Sequence, residues 1–362
     1  MTENKQSLTS PTQRYSIHRA LPYWYIACKS KNLRRKPIQV WIWNTPFVLF
    51  RNSQGVAHAL LDRCPHRNVP LSAGRCIDGH IQCAYHGWKY NGKGDCLEVP
   101  ALHGASTNKK RSVEAFPIKE QQGYIWLFTD SKNPPNHEPY TFERLDNPAY
   151  ISIDYQADFD ATLHATAENI LDVPHTAFLH RGLFRGGETN LLDTKITRYL
   201  DRVECEFTGE PAPSGVMGKL LGAGANQVSH FDRFILPSIA QVDYRIGDAR
   251  HLNATSVLTP LSDFKTRMYT SVTVKVSKWV SFIKPIATLF AYIVVKQDKD
   301  ILKKQVEAIQ HFSGESYMNT EVDCLGPFIL RLLKKAANEQ VIVKQDVGDE
   351  DPEKVISGKI LA

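Results

Sequence analysis

The sequence predicts an α+β chain built in two unlike parts, and three observations carry that reading. From Tyr23 to Thr129, short β-branched and aromatic runs alternate with turn signals. The stretch SKNPPNHEP, Ser131 to Pro139, is polar and proline-rich and marks a boundary. Beyond it, helical periodicity and strand-like runs interleave. At 362 residues the chain exceeds what one hydrophobic core usually serves, so two domains fit its length.

The elements follow in order. Residues 1–20 open with MTENKQSLTSPTQRYSIHR, which is polar and has no apolar signal core, and are expected to be a disordered leader of a cytoplasmic protein. Residues 21–135 form the all-β domain, with strands in IQVWIWNTPFVLFRNSQGVAHALLD and GYIWLFTD. Residues 136–338 form the second domain. In it DFDATLHATAENILDV places Leu163, Ala167, Ile170 and Leu171 at helical spacing, with Asp158 or Asp160 as N-cap and Pro174 as the stop. QVDYRI and MYTSVTVKV read as strands, and Ile286 to His311 as a second helix. Residues 339–362, with GDEDPEK inside them, are expected to be a loosely attached tail.

Composition narrows the function classes. With 44 Lys and Arg against 38 Asp and Glu, the charge is +6 and is spread along the chain, which excludes a nucleic-acid arm. The apolar run Trp279 to Val295 is broken by Ser281, Lys284 and Pro285, too short for a bilayer span of about 20 residues, and is expected to be a buried core segment. Seven scattered cysteines without an export signal argue for thiols and metal ligands over a disulfide framework.

Four of the candidate ligands stand together. RCPHRNVPLSAGRCIDGHIQCAYHGWKY holds Cys64 with His66 and Cys83 with His86, sixteen residues separating the pairs. Zinc sites usually pair thiolate with thiolate, whereas here each pair mixes ligand types. C-x-H followed by C-x2-H is the set a Rieske [2Fe-2S] cluster needs, two thiolates on one iron and two imidazoles on the other. Pro65, Gly74, Gly79 and Gly87 supply turns that let backbone approach the cluster.

CPHRNVPLSAG and CAYHGWKYNGKGDCLEVP resemble the Rieske domain of the Rieske non-heme iron oxygenases, including Arg67, Leu71, Gly74, Gly87, Trp88, Gly94 and Pro100. Ala84 departs from the proline often found there. The respiratory Rieske proteins carry an extra cysteine in each loop; here Tyr85 occupies the second such position and none closely follows His66. Cys76, Cys96, His58, His80 and His103 read as packing residues.

The resemblance, running from Trp24 to about Lys335, directs attention to ENILDVPHTAFLH. On a straight helix His175 and His180 would lie about 140° apart, so a break at Pro174 is expected to let them converge. Two histidines and one carboxylate form the facial triad of non-heme Fe(II) oxygenases. The family places its carboxylate on a C-terminal helix, here VVKQDKDILKKQVEAI, with Asp298 and Asp300 as candidates. Helical phase selects Asp298, which shares a face with Ile301, Leu302, Gln305 and Ile309; Asp300 falls on the wet face beside Lys304, Lys303 and Glu307. Asp172 resembles the family's bridging carboxylate, which hydrogen-bonds the first iron histidine and reaches a Rieske histidine of a neighbouring subunit. Asn169 matches its nearby amide, and Glu168 and His164 lie on the same helix face.

The resemblance implies a Rieske domain followed by a helix-grip (START-like) catalytic domain, a head-to-tail homotrimer, a [2Fe-2S] cluster and Fe(II). The activity it implies is O2-dependent oxidation of a bulky apolar or aromatic small molecule, with Arg181 to Val276 expected to line the pocket. The chain has no G-x-G-x-x-G or P-loop, so NAD(P)H oxidation is assigned to a separate reductase, acting directly or through a ferredoxin. The alternative is an electron-transfer protein whose C-terminal domain is not catalytic.

Overall fold

The computed structural model describes residues 15–361, except 105–107, 184–190, 210–227, 247–249, 276–283, 340, 342 and 344–351. Its N-terminal part is β-structure with three short 3-10 turns: β1 (Trp24–Lys29), β2 (Ile38–Ile42), β3 (Thr45–Arg51), β4 (Ala57–Leu61), β5 (Arg75–Ile77), β6 (His80–Gln82), β7 (Lys89–Tyr90), β8 (Cys96–Glu98), β9 (Ala115–Phe116), β10 (Ile118–Gln121) and β11 (Tyr124–Phe128). These form three antiparallel sheets, ordered β1-β11-β10, β2-β3-β4-β9 and β5-β6-β7-β8. The last carries the motif loops and packs on a small core of its own, Val48, Phe50, Leu60, Leu71, Ile81 and Tyr90 among its members.

The second part is one eight-stranded antiparallel sheet with helices packed against it. Its strands are β12 (Ile151–Phe159), β13 (Leu191–Arg198), β14 (Arg202–Thr208), β15 (Val228–Ile235), β16 (Ile239–Ile246), β17 (Arg250–Ser262), β18 (Lys265–Lys275) and β19 (Lys354–Leu361), in the order β12-β18-β17-β16-β15-β14-β13-β19. The helices are α1 (Leu163–Leu171), the single turn α2 (His175–Phe178), α3 (Lys284–His311) and α4 (Gly326–Asn338). Side chains alternate along the strands, so β14 sends Val203, Cys205 and Phe207 inward.

One core runs through both parts, from Tyr25 and Trp126 to Phe234 and Leu333. Backbone and side-chain hydrogen bonds cross the seam: Trp43 N donates to Pro260 O at 2.7 Å, Asn44 N to Leu261 O at 3.1 Å, and Thr259 Oγ1 to Ile26 O at 2.8 Å.

Several sequence expectations are corrected. The segment after α4 is docked: Val341 and Val343 are buried, Tyr23 Oη donates to Val341 O at 3.0 Å, and β19 pairs with β13 from Leu191↔Leu361 to Arg198↔Lys354. The β-branched and apolar residues of KVISGKIL outweigh the charge of the sequence GDEDPEK that leads into them. The leader is held from Tyr15 onward, because Ile17 and Ala20 are buried and Tyr15 meets Phe264 edge-on at 5.2 Å. The N-cap of α1 is Thr162, whose hydroxyl accepts from Ala165 N at 3.1 Å, while Asp158 belongs to β12 and pairs with Arg267. The run expected to be buried exposes Leu289, Tyr292 and Ile293 on one face of α3, with Phe290 buried on the other; Trp279 to Ile283 lie outside the described residues. Among the described residues no helix is long and apolar enough to cross a membrane.

Candidate metal centres

The first centre is built on two loops between short strands. After β4, Cys64 N donates to Val69 O at 2.9 Å and Asn68 N to Cys64 O at 2.9 Å, curling the loop around Pro65 and His66. Between β6 and β7, Cys83 N donates to Trp88 O at 2.8 Å and Gly87 N to Cys83 O at 3.1 Å. Gly87 has φ +72°, a conformation side chains rarely adopt, and a Cβ on Gly74 would lie 2.0 Å from Gln82 O. Both glycines are therefore demanded by the geometry.

These loops bring the four motif residues together. The Cys64 and Cys83 thiols are both buried, and burial first of all, with Cys83 adding to it, pushes the Cys64 thiol up from its ordinary value. The rings of His66 and His86 are 4.5 Å apart. His66 stacks on Trp88 at 4.8 Å with planes 6° apart, and its buried Nδ1 has no hydrogen-bond partner. Two buried adjacent thiols facing two imidazoles, one with an orphaned ring nitrogen, fit a Rieske cluster. Tyr90, which sequence reasoning missed, puts its hydroxyl 3.4 Å from Cys64 Sγ. Its position in the short strand β7 gave no periodic signal.

The second centre lies where α1, α2 and α3 meet. α1 ends at Leu171, and residues 172–174 break the helix before α2 begins at His175. Pro174 precedes both histidines and so does not alter their relative phase. They converge because α2 ends at Phe178, and His180 sits in the turn that follows. α3 is continuous, and its phase holds for Asp298, Leu302, Val306 and Ile309, which are all buried, whereas Ile301 of the expected stripe is exposed. Asp300 is exposed and pairs with Lys296 at 3.2 Å, one turn before it, instead of the expected Lys304.

The ligand atoms of His175, His180 and Asp298 all lie within 4.8 Å of one another. Nε2 of His180 is 3.0 Å and Nε2 of His175 is 3.6 Å from Asp298 Oδ1, and the two Nε2 atoms are 3.3 Å apart. Donors on one octahedral face with bonds of about 2.1 Å are separated by roughly 3 Å, so the residues fit one facially bound ion. Burial works to raise the Asp298 carboxyl, but hydrogen bonds from His175 and His180 overcome it and hold the group below its ordinary value. Burial opposes charge on His175, yet Asp172 and Asp298 push it up to about 9.

The surroundings orient these ligands. His175 Nδ1 donates to the backbone carbonyl of Asp172 and lies 3.5 Å from its carboxylate. His180 Nδ1 donates to Gln297 Oε1 at 2.8 Å, and Asn169 Nδ2 approaches Asp298 Oδ1 at 3.4 Å. Gln297 was not legible in the sequence, because a glutamine beside a ligand carries no pattern of its own. His164 Nε2 is turned away to Gly326 O at 2.9 Å. Glu168 is raised to about 7 by burial first and by Asp172, Asp323 and Glu315 next.

A cavity of about 670 Å³ opens beside the second centre, with Phe178, Leu179, Phe207, Ile301, Leu302 and Ile360 among its walls. Of the stretch Arg181 to Val276 expected to line it, Phe207 alone does so among the described residues; FRGG and MGKLLGAGAN lie outside them.

Comparisons with known proteins match two families. Residues 23–117 match the Rieske [2Fe-2S] domain family, and residues 159–339, half the chain, match the vanillate O-demethylase oxygenase C-terminal domain family. The oxygenase component of dicamba O-demethylase from Stenotrophomonas maltophilia is 36% identical over 160 residues, 44% of this chain and 47% of that protein. The chain thus spans about half the length of that relative. Aminopyrrolnitrin oxygenase PrnD of Pseudomonas fluorescens is 26% identical over 277 residues, 70% of this chain and 74% of the relative. The crystal structure of dicamba monooxygenase bound to dicamba shares the fold, with a TM-score of 0.73 at 23% identity over 89% of this chain and 98% of its own.

Proposed function

Because the chain belongs to the vanillate O-demethylase oxygenase family, with a Rieske [2Fe-2S] domain ahead of the family's C-terminal domain, we propose that it is the catalytic component of an O2-dependent oxygenase. Its substrate class is a bulky apolar or aromatic small molecule. The observation that carries this reading is the convergence of His175, His180 and Asp298 beside a cavity whose walls mix apolar side chains with polar ones such as Glu168, Asn169 and Gln305. An electron carrier has no use for such a site.

When loaded, the two centres supply one-electron storage and reductive activation of O2. The chain's own residues do the rest. Cys64 and Cys83, as thiolates, would hold the cluster together with His66 and His86, and Trp88 fixes the plane of His66. Gln297 and the Asp172 carbonyl hold the Nδ1 protons of His180 and His175, which turns both Nε2 atoms toward Asp298. Phe207 and Leu302, both buried in the cavity wall, offer contact to an apolar substrate, with the exposed Phe178 and Ile301 beside them.

Electrons come, in this reading, from an NAD(P)H-dependent reductase, directly or through a ferredoxin, in the cytoplasm. The working unit is a homotrimer in which Asp172 links the iron site to a cluster histidine of a neighbouring copy. Two surface features support that arrangement: the Asp172 carboxylate is about one-third exposed, and His86 is exposed beside Tyr85.

The test is anaerobic reconstitution followed by turnover. Material with a reducible cluster should bind about one further iron per chain, and His175→Ala, His180→Ala or Asp298→Ala should lose that iron alone. With an added reductase and NADH, a compound panel assayed by mass should reveal a product that has gained oxygen or lost a methyl group. A protein that holds only the cluster iron would be an electron carrier instead.

A further inference from the structure

Charge divides unequally between the two parts of the chain. Residues 21–135 carry 16 Lys and Arg against 7 Asp and Glu, and residues 136–362 carry 25 against 30, so the parts bear +9 and −5. An approaching protein feels these fields before it makes contact. One of negative sign is steered to the Rieske part and away from the other.

Within the Rieske part, one patch adjoins the cluster loops and adds an apolar centre to the charge. Leu97 of β8 and Leu102 in the segment after it are 41% and 38% exposed. Lys93, Lys109 and Lys110 are exposed and enter no ion pair among the described residues. Backbone hydrogen bonds gather these pieces. Val113 N donates to Gly94 O at 2.8 Å, which sets the turn carrying Lys109 and Lys110 against the turn carrying Lys93, and Leu102 N donates to Val99 O at 2.9 Å, which folds the chain back after β8. Pro100, between the two leucines, packs on Gly87, with its Cγ 3.1 Å from where a Cβ of that glycine would stand. The patch therefore rests on the loop that carries Cys83 and His86. The acids of the same turns are committed: Asp95 accepts from Asn91 Nδ2 at 3.0 Å, and Glu98 pairs with Lys89 at 2.5 Å.

We propose that this patch is the docking surface for the electron donor and that the donor is an acidic protein, its carboxylates meeting Lys93, Lys109 and Lys110 around an apolar contact with Leu97 and Leu102. The proposal rests on the reading that electrons arrive from a separate protein. One electron leaves the donor's reduced centre and reduces the cluster; no bond forms or breaks. A second copy of the chain suits the patch less well. Stable subunit interfaces bury about 2,000 Å² or more and are depleted of lysine, whereas electron-transfer encounters bury less than about 1,200 Å². Two half-exposed leucines with three lysines match the smaller kind.

The probe is a plant-type [2Fe-2S] ferredoxin, an acidic one-electron donor, reduced chemically and mixed anaerobically by stopped flow with the full chain carrying its cluster. The rate constant for cluster reduction should fall about tenfold between about 20 and about 200 mM salt. Lys93→Glu, Lys109→Glu and Lys110→Glu together should lower it about 10–100-fold at low salt. The cluster's spectrum, and its reduction by photoreduced 5-deazariboflavin, a neutral donor, should stay as in the parent. Lys31→Glu, Arg34→Glu and Arg35→Glu make the same change of charge on the β1–β2 connection. That connection meets Arg51, at the end of the β3–β4 pair opposite Leu61 and the first cluster loop, so this variant should slow by less than about threefold. A carbodiimide, which joins amines to carboxylates, should cross-link the ferredoxin to peptides holding Lys93, Lys109 or Lys110. His175→Ala should give the same rates and cross-links, so failure of the oxygenase reading leaves the result intact. The proposal is overturned if the ferredoxin does not reduce the parent, if the patch variant is reduced as fast as the parent, or if the β1–β2 variant slows as much. It is also overturned if sedimentation shows that the patch variant breaks an assembly, for the face then joins copies of this chain. The parent's salt dependence and cross-links decide even if a variant does not fold.

Discussion

His180 is held between Gln297 and Asp298, two consecutive residues of α3: its Nδ1 donates to the Gln297 amide oxygen at 2.8 Å while its Nε2 faces the Asp298 carboxylate at 3.0 Å. One helix turn thus supplies a ligand and the group that orients another ligand. Gln297→Leu should therefore weaken binding of the mononuclear iron about 10–100-fold without changing the visible spectrum of the cluster. Competitive chelation at equilibrium reads the affinity directly.

The phase of α3 predicts opposite outcomes for two aspartates two residues apart. Asp298→Ala should abolish the additional iron, and Asp300→Ala should keep it. Asp300 and Lys296 are both largely exposed, so losing their pair should cost no more than about 0.5 kcal/mol, measured by chemical denaturation. Iron counting on the two variants, with the cluster absorbance as internal reference, distinguishes them.

Iron uptake should depend on pH through His175, whose ligand-free ring is held protonated up to about 9 by Asp172 and Asp298. A metal must displace that proton, so raising the pH removes its competitor. Affinity for Co(II), a coloured substitute for Fe(II), should climb about tenfold per pH unit from pH 7 and level off above about 9. A flat profile would show that His175 is not a ligand.

Glu168 couples the same region to stability. Its folded-state value is raised to about 7, so the native protein holds this proton more tightly than the unfolded chain does. Stability from this group is complete below the ordinary carboxyl range and is lost as pH rises toward 7. Glu168→Gln should therefore raise the melting temperature at pH 8 and change it little at pH 4.5, the difference amounting to at most about 3 kcal/mol.

Tyr90 bears on the cluster. A hydroxyl 3.4 Å from Cys64 Sγ favours the more electron-rich, reduced state. Tyr90→Phe should lower the one-electron potential by roughly 40 mV, the equivalent of about 1 kcal/mol of hydrogen bonding, in a direct voltammetric measurement.

What was legible in the sequence follows from how local each determinant is. The Cys64, His66, Cys83 and His86 loops are short and self-contained, so their spacing alone brings the residues together. Asp298 could be chosen over Asp300 because a helix converts position into direction. The same reasoning misattributed the convergence of His175 and His180 to Pro174, because where a helix of one turn ends depends on what packs around it, not on its residues. Gln297 and Tyr90 act through contacts with residues far away in the chain, and no local period marks such contacts. The docking of β19 was hidden for a related reason: strand pairing is decided by the edge of β13, more than 150 residues earlier.

The seam hydrogen bonds of Trp43, Asn44 and Thr259, and the core they close over, have a kinetic consequence. Redox proteins that ferry electrons on a swinging head slow down when the solvent is thickened with glycerol or sucrose. Here the head is welded to the body. Internal electron delivery should therefore be insensitive to viscosity, and thickening the solvent should slow only the encounter with the external reductant.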